Sequence, residues 1–88
     1  MQGMKRAALV RAIKNAGRAV SFGVRSHARV ELDADGETDA TVAYVLAHAQ
    51  SVTWQAQHGT YRVHADGLAV AVAFDDSGKL WVCTGFIP

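Results

Sequence analysis

Arg62 and His64 stand two positions apart in Thr60-Tyr61-Arg62-Val63-His64-Ala65, a run that alternates polar and apolar residues. Alternate side chains of a strand point the same way. Thr60, Arg62 and His64 would therefore share one face, and Tyr61, Val63 and Ala65 the other. An imidazole that titrates near neutrality beside a guanidinium suits metal-free cleavage of RNA. In that reaction the 2′-hydroxyl attacks the adjacent phosphorus. A base takes its proton, an acid protonates the leaving 5′-oxygen, and a cation offsets the developing charge. His64 fits the acid or base, and Arg62 fits the phosphate. Tyr61, Lys79 or His58 would assist where the fold brings them near, although a regular strand points Tyr61 away from Arg62 and His64. The alternative is a solvated sheet face, common in antiparallel sheets, with Arg62 and His64 as ordinary surface residues.

Other chemistries find less support. His27, His48, His58 and His64 lack the short paired spacing of zinc ligands, and Cys83 is the single cysteine. No glycine-rich phosphate loop or G-x-S-x-G elbow occurs, so no cofactor is expected. His27 falls in the first turn of a short helix beside its cap. There it either fixes the helix to the sheet or projects into an active site. Trp54, Phe74 and Phe86 read as core residues, and Trp81 is the aromatic that fits a core least well.

Size and charge set further limits. The chain of 88 residues has room for one domain, and 50% apolar content supplies one small core. One cysteine gives no internal disulfide, which fits a reducing cytoplasm. Met4-Lys5-Arg6 before Ala7–Val10 starts like a signal peptide, and Met4 could itself be the natural start. Arg11 and Lys14 interrupt the apolar run too early for a signal peptide or membrane span. Residues 1–30 hold seven Lys and Arg and no acid, whereas residues 31–88 hold Arg62 and Lys79 against all eight acids. The basic third is either a patch for phosphates or an acidic partner, or a solvated helix face. A pI of about 8.0 lies below the range typical of strong nucleic-acid binders.

These side chains need elements to position them. Residues 4–16 carry Leu9, Ala12, Ile13 and Ala16 on one helical stripe, and Gly17 is the expected stop. Residues 18–24 alternate weakly as a strand. Ser26 caps a helix to Asp35, Gly36 ends it, and Thr38 caps another to Ala49. Four strand-like segments follow. They are separated by His58-Gly59, the hairpin signal Asp66-Gly67 and the turn Asp75–Gly78, and the last runs from Leu80 to Phe86. Short connections imply an antiparallel meander of four or five strands with the helices on one face, an α+β fold. Gln55 and Gln57 would join the Arg62 face, while Val52 and Trp54 join Tyr61 and Val63 in the core.

The run Ser26-His27-Ala28, the step to Gly36, Thr38 and Val42 together resemble a short uncharacterised bacterial toxin-like domain typified by a Ser-x-His-Ala-x-x-Arg helix. Ala12–Arg18, Tyr61–Val63, Leu68–Ala73 and Gly78–Phe86 fit the same pattern, so the likeness spans roughly residues 8–87. The chain is more distantly similar to the RelE-type and MqsR-type messenger-RNA interferases. The resemblance implies one RelE-like domain over residues 1–88, metal-independent endoribonuclease activity, an RNA substrate and a cognate antitoxin protein. Only His27 transfers by motif. Glu31, Asp33 and Asp35 stand where basic residues are expected after His-Ala, and Lys79 is the one base of the C-terminal strand. The site residues expected are thus His64, Arg62, Lys79 and His27, on a cytoplasmic toxin. A non-catalytic binding or regulatory domain of the same fold is the alternative.

Overall fold

A computed structural model describes residues 5–85. Three helices lie on one face of a five-stranded sheet, an α+β arrangement. The elements run α1 (Arg6–Ala19), β1 (Gly23–Val24), α2 (Ser26–Ala34), α3 (Asp39–Ala47), β2 (Ser51–Gln55), β3 (Thr60–Ala65), β4 (Leu68–Phe74) and β5 (Leu80–Thr84). The described residues leave Met1 to Met4 and Phe86 outside, and with them the alternative start and the expected core role of Phe86.

The helix α1 buries Leu9, Ile13 and Gly17, one residue per turn along one stripe. Gly17 does not stop it. A Cβ at Gly17 would stand 2.4 Å from the backbone nitrogen of Ala47 and 2.6 Å from the carbonyl of Ala43. The glycine is therefore where α1 and α3 touch backbone to backbone. The helix ends instead at Val20, which takes a left-handed φ of 49°. Ser21 N–H donates to Ala16 O at 2.8 Å and Val20 N–H to Gly17 O at 3.2 Å, the paired bonds of a Schellman ending. Of the strand expected over 18–24, only Gly23 and Val24 pair.

The N-cap of α2 is Arg25 rather than Ser26, and no side chain bonds there. Its far end behaves as expected. Gly36 takes φ +70°, and Glu37 N–H donates to Leu32 O at 2.9 Å. Thr38 occupies the N-cap of α3 without a side-chain bond. α3 lies between α1 and strands β3 and β4, so it buries Val42, Ala43, Val45 and Leu46 around its circumference.

The sheet order is β1-β5-β4-β3-β2. Strands β2 to β5 form the expected antiparallel meander. The expectation of a wholly antiparallel sheet is corrected at the edge, where β1 runs parallel to β5, with Gly23 opposite Trp81 and Val24 opposite Val82. This follows from the chain path: β1 is reached from β5 only through two helices and three strands, not by a hairpin. Asp66 and Gly67 have φ of 51° and 80°, the positive pair that a type I′ hairpin turn demands. The core fills the helix side with Ile13, Leu32, Leu46, Val63, Val70, Val72, Leu80 and Val82, among others.

Candidate functional site

With the helices on one side, no helix or strand of the described residues covers the opposite face of the sheet. Period two and the strand register decide what it presents. On β2 these are Ser51, Thr53 and Gln55, paired with His64, Arg62 and Thr60 of β3. Arg62 and His64 in turn pair with Ala71 and Ala69 of β4. Tyr61 points the other way, buried against Trp54 and Phe74 with ring centroids 4.8 and 6.5 Å apart. The structure therefore keeps Arg62 and His64 together and removes Tyr61 from their face.

An irregularity in β5 shapes this face. Val72 pairs with Val82, but the next β4 residue, Ala71, pairs with Thr84, which leaves Cys83 as an extra residue. A bulge turns consecutive side chains to one side of a sheet. Cys83 and Thr84 accordingly both line a recess of about 450 Å³ with Gln55, His58, Thr60, Arg62 and Ala71. Ala71 lies between Arg62 and Thr84 in the register and, at 4% exposed, forms the floor of the recess. Thr60 is only 8% exposed, and its hydroxyl has no hydrogen-bond partner among the described residues.

The parallel edge adds a second cluster. Arg25 follows β1, and its guanidinium carbon lies 4.1 Å from the centroid of the Trp81 ring. Lys79 Nζ lies 4.4 Å from the same ring. Trp81 Nε1–H donates to Asp75 Oδ2 at 2.9 Å, and the other oxygen of Asp75 accepts from the Ser77 hydroxyl and the backbone N–H groups of Ser77 and Lys79. These bonds, Ser77 and Trp81 foremost, hold the Asp75 carboxyl well below its usual range. Burial pushes the Cys83 thiol up, against a smaller opposing effect of Arg25, so the cysteine stays a neutral thiol at pH 7.

The four expected site residues are thus distributed unequally. Arg62 and His64 share the open face. His58, in the turn after β2, joins Arg62 at the recess, whereas Gln57 stays in that turn. Lys79 reaches the same side of the sheet but is drawn to Trp81, two strands from Arg62. His27 stands apart in the first turn of α2, on the helix layer, with its Nε2 3.3 Å from Glu31 Oε2. Glu31 Oε1 accepts the Gly85 N–H at 2.9 Å, so the carboxylate rather than the imidazole fixes α2 to the end of β5.

Sequence reasoning did not reach Arg25, Cys83 or Thr84. A parallel pairing between distant segments and a one-residue bulge leave no local pattern to read. Among the described residues, no three His, Cys, Asp or Glu side chains gather as metal ligands, and no helix is long and apolar enough to cross a membrane. No protein family, curated protein or solved structure compared with the chain matches it.

Proposed function

We propose that this protein is a metal-independent endoribonuclease of the toxin–antitoxin kind, on a RelE-like fold, acting from the open face of its sheet. One observation carries the reading. Arg62 stands on that face with an imidazole to either side along the chain, His64 two residues on and His58 at the recess wall. The step from Arg62 to His64, two residues of one strand, spans about 6.6 Å, a scale that suits a cation and an imidazole on one phosphodiester, and His58 meets Arg62 from the turn before β3. One imidazole takes the 2′-hydroxyl proton as the 2′-oxygen bonds to phosphorus. The other protonates the 5′-oxygen as its bond to phosphorus breaks. The products are a 2′,3′-cyclic phosphate and a 5′-hydroxyl. Arg62 offsets the charge that builds on the phosphoryl oxygens. Arg25 and Lys79 at Trp81 add two cations two strands from Arg62, beside the Asp75 carboxylate that holds the same indole. His27 has no part in this chemistry.

A binding module without catalysis is the second reading. It draws on His64, which does not line the recess, so that only His58 and Arg62 meet there. Inducible expression in a bacterial host separates the two. The ribonuclease reading expects growth arrest and loss of cellular messenger RNA, both relieved by Arg62→Ala and by the product of a neighbouring antitoxin gene. Unimpaired growth with intact RNA contradicts it.

A further inference from the structure

We infer that the recess above Ala71 is a phosphate-binding subsite in which the Thr60 hydroxyl is the hydrogen-bond donor and Arg62 the counter-charge. The inference rests on the ribonuclease reading for its choice of an RNA phosphate as the ligand. Its own support is the recess. Thr60 is 8% exposed, and its Oγ1 is buried without a partner among the described residues. Leaving a buried hydroxyl unsatisfied is costly and uncommon in a folded protein, so such a group calls for a partner. Thr60 is in phase with Arg62 and His64 on β3 and lines the recess, with its Oγ1 covered in the unliganded chain, so that a ligand meets the hydroxyl once the side chain rotates about χ1.

The lining defines the class of that partner. Thr60, Thr84, Gln55, His58 and Arg62 all offer donors, and among the described residues no Asp or Glu lines the recess. A cation finds no carboxylate there, and an apolar ligand would strand the hydroxyls and the amide. A tetrahedral anion with several acceptor oxygens meets the donors and the charge together. The bulge in β5 contributes Thr84 beside Ala71, and bulges recur next to functional sites because they re-aim side chains.

The test uses a single-stranded RNA decamer with 2′-fluoro substitution throughout, which lacks the attacking hydroxyl. Its affinity is measured with the full chain and with Thr60→Val, Thr60→Ser and Ala71→Leu. Thr60→Val removes only the hydroxyl's hydrogen bonding and should weaken binding about tenfold, a hydrogen bond to a charged group, while Thr60→Ser stays within about threefold of the parent. Ala71→Leu fills the recess without removing a polar group and should weaken binding at least as much. Thr60→Val should melt no lower than the parent, because the unliganded hydroxyl is unpartnered. Parental affinity in folded Thr60→Val overturns the subsite, as does parental affinity in folded Ala71→Leu or no binding by the parent. Cleavage of the unmodified decamer, measured alongside, separates the two claims. Thr60-dependent binding without cleavage keeps the subsite and rejects the ribonuclease, whereas cleavage with Thr60-independent binding rejects the subsite alone.

Discussion

The Trp81 ring lies against the bare Cα of Gly23: a Cβ there would stand 2.4 Å from Cζ3 of the indole. That contact joins the parallel edge strand to the open face and sets Arg25 over the ring. Gly23→Ala must push the indole away. The substitution should raise quenching of tryptophan fluorescence by iodide and weaken RNA binding, while the far-ultraviolet circular dichroism stays that of the parent. Unchanged quenching would mean that the ring does not depend on Gly23.

Asp75 holds the other end of the indole. Its folded carboxyl titrates below its unfolded range, chiefly through Ser77 and Trp81, so the charged form belongs to the folded state. The resulting stability is in place above about pH 4, the unfolded range, and is lost as the pH falls through the folded pKa. Asp75→Asn should therefore be less stable than the parent at pH 7 and should lose less on acidification. Urea midpoints at pH 7 and pH 3 check this, and parallel losses in the two proteins would count against it.

Gly17 and Val20 invert the usual placement of glycine in a helix. Alanine at Gly17 has the better helix propensity, by about 1 kcal/mol, but its methyl meets the α3 backbone. Overpacking of this kind costs about 2 kcal/mol, so Gly17→Ala should be destabilised. Val20 has a left-handed backbone and is 58% exposed. Val20→Gly relieves the left-handed strain and should stabilise by about 0.5 kcal/mol or more. Denaturant unfolding of the two variants should show opposite signs.

Tyr44 on α3 donates its hydroxyl to Asp66 Oδ2 in the β3–β4 turn, and Gln50 Nε2 donates to Asp66 Oδ1 at 3.3 Å. The bond to Asp66 and that residue's charge push the Tyr44 phenol above its usual value. The stability this gives is present below about pH 10, the unfolded range, and disappears as the pH rises through the folded pKa. Tyr44→Phe should be less stable at pH 7 and should lose less stability between pH 9 and pH 11. Identical alkaline profiles would remove Tyr44 from this role.

Local pattern carried much of the fold. Alternation along Thr60–Ala65 placed Arg62 and His64 on one face and Tyr61 on the other, and Asp66-Gly67 marked its turn, because both depend on neighbours in sequence. Gly17 reads as a helix stop but sits inside α1 against α3, because a glycine that permits helix contact looks the same in sequence as one that ends a helix. The β1–β5 pairing brings Gly23 opposite Trp81 across most of the chain, and no local signal encodes it. The bulge at Cys83 was hidden for a different reason. Leu80-Trp81-Val82-Cys83-Thr84 reads as a regular strand, and only the register with β4 reveals the extra residue. His27 drew notice through its motif, yet its nearest charged partner is Glu31 on its own helix.

The central claim concerns Arg62 and its flanking imidazoles. Single-stranded RNA incubated with the purified protein in EDTA, with fragment ends identified by mass spectrometry, tests it most directly. The account predicts cleavage to 2′,3′-cyclic phosphate and 5′-hydroxyl ends, with rates lowered about a hundredfold or more in Arg62→Ala, His58→Ala and His64→Ala and unaltered in His27→Ala. Intact RNA with the parent protein, or parental rates in the Arg62 and His64 variants, would contradict it.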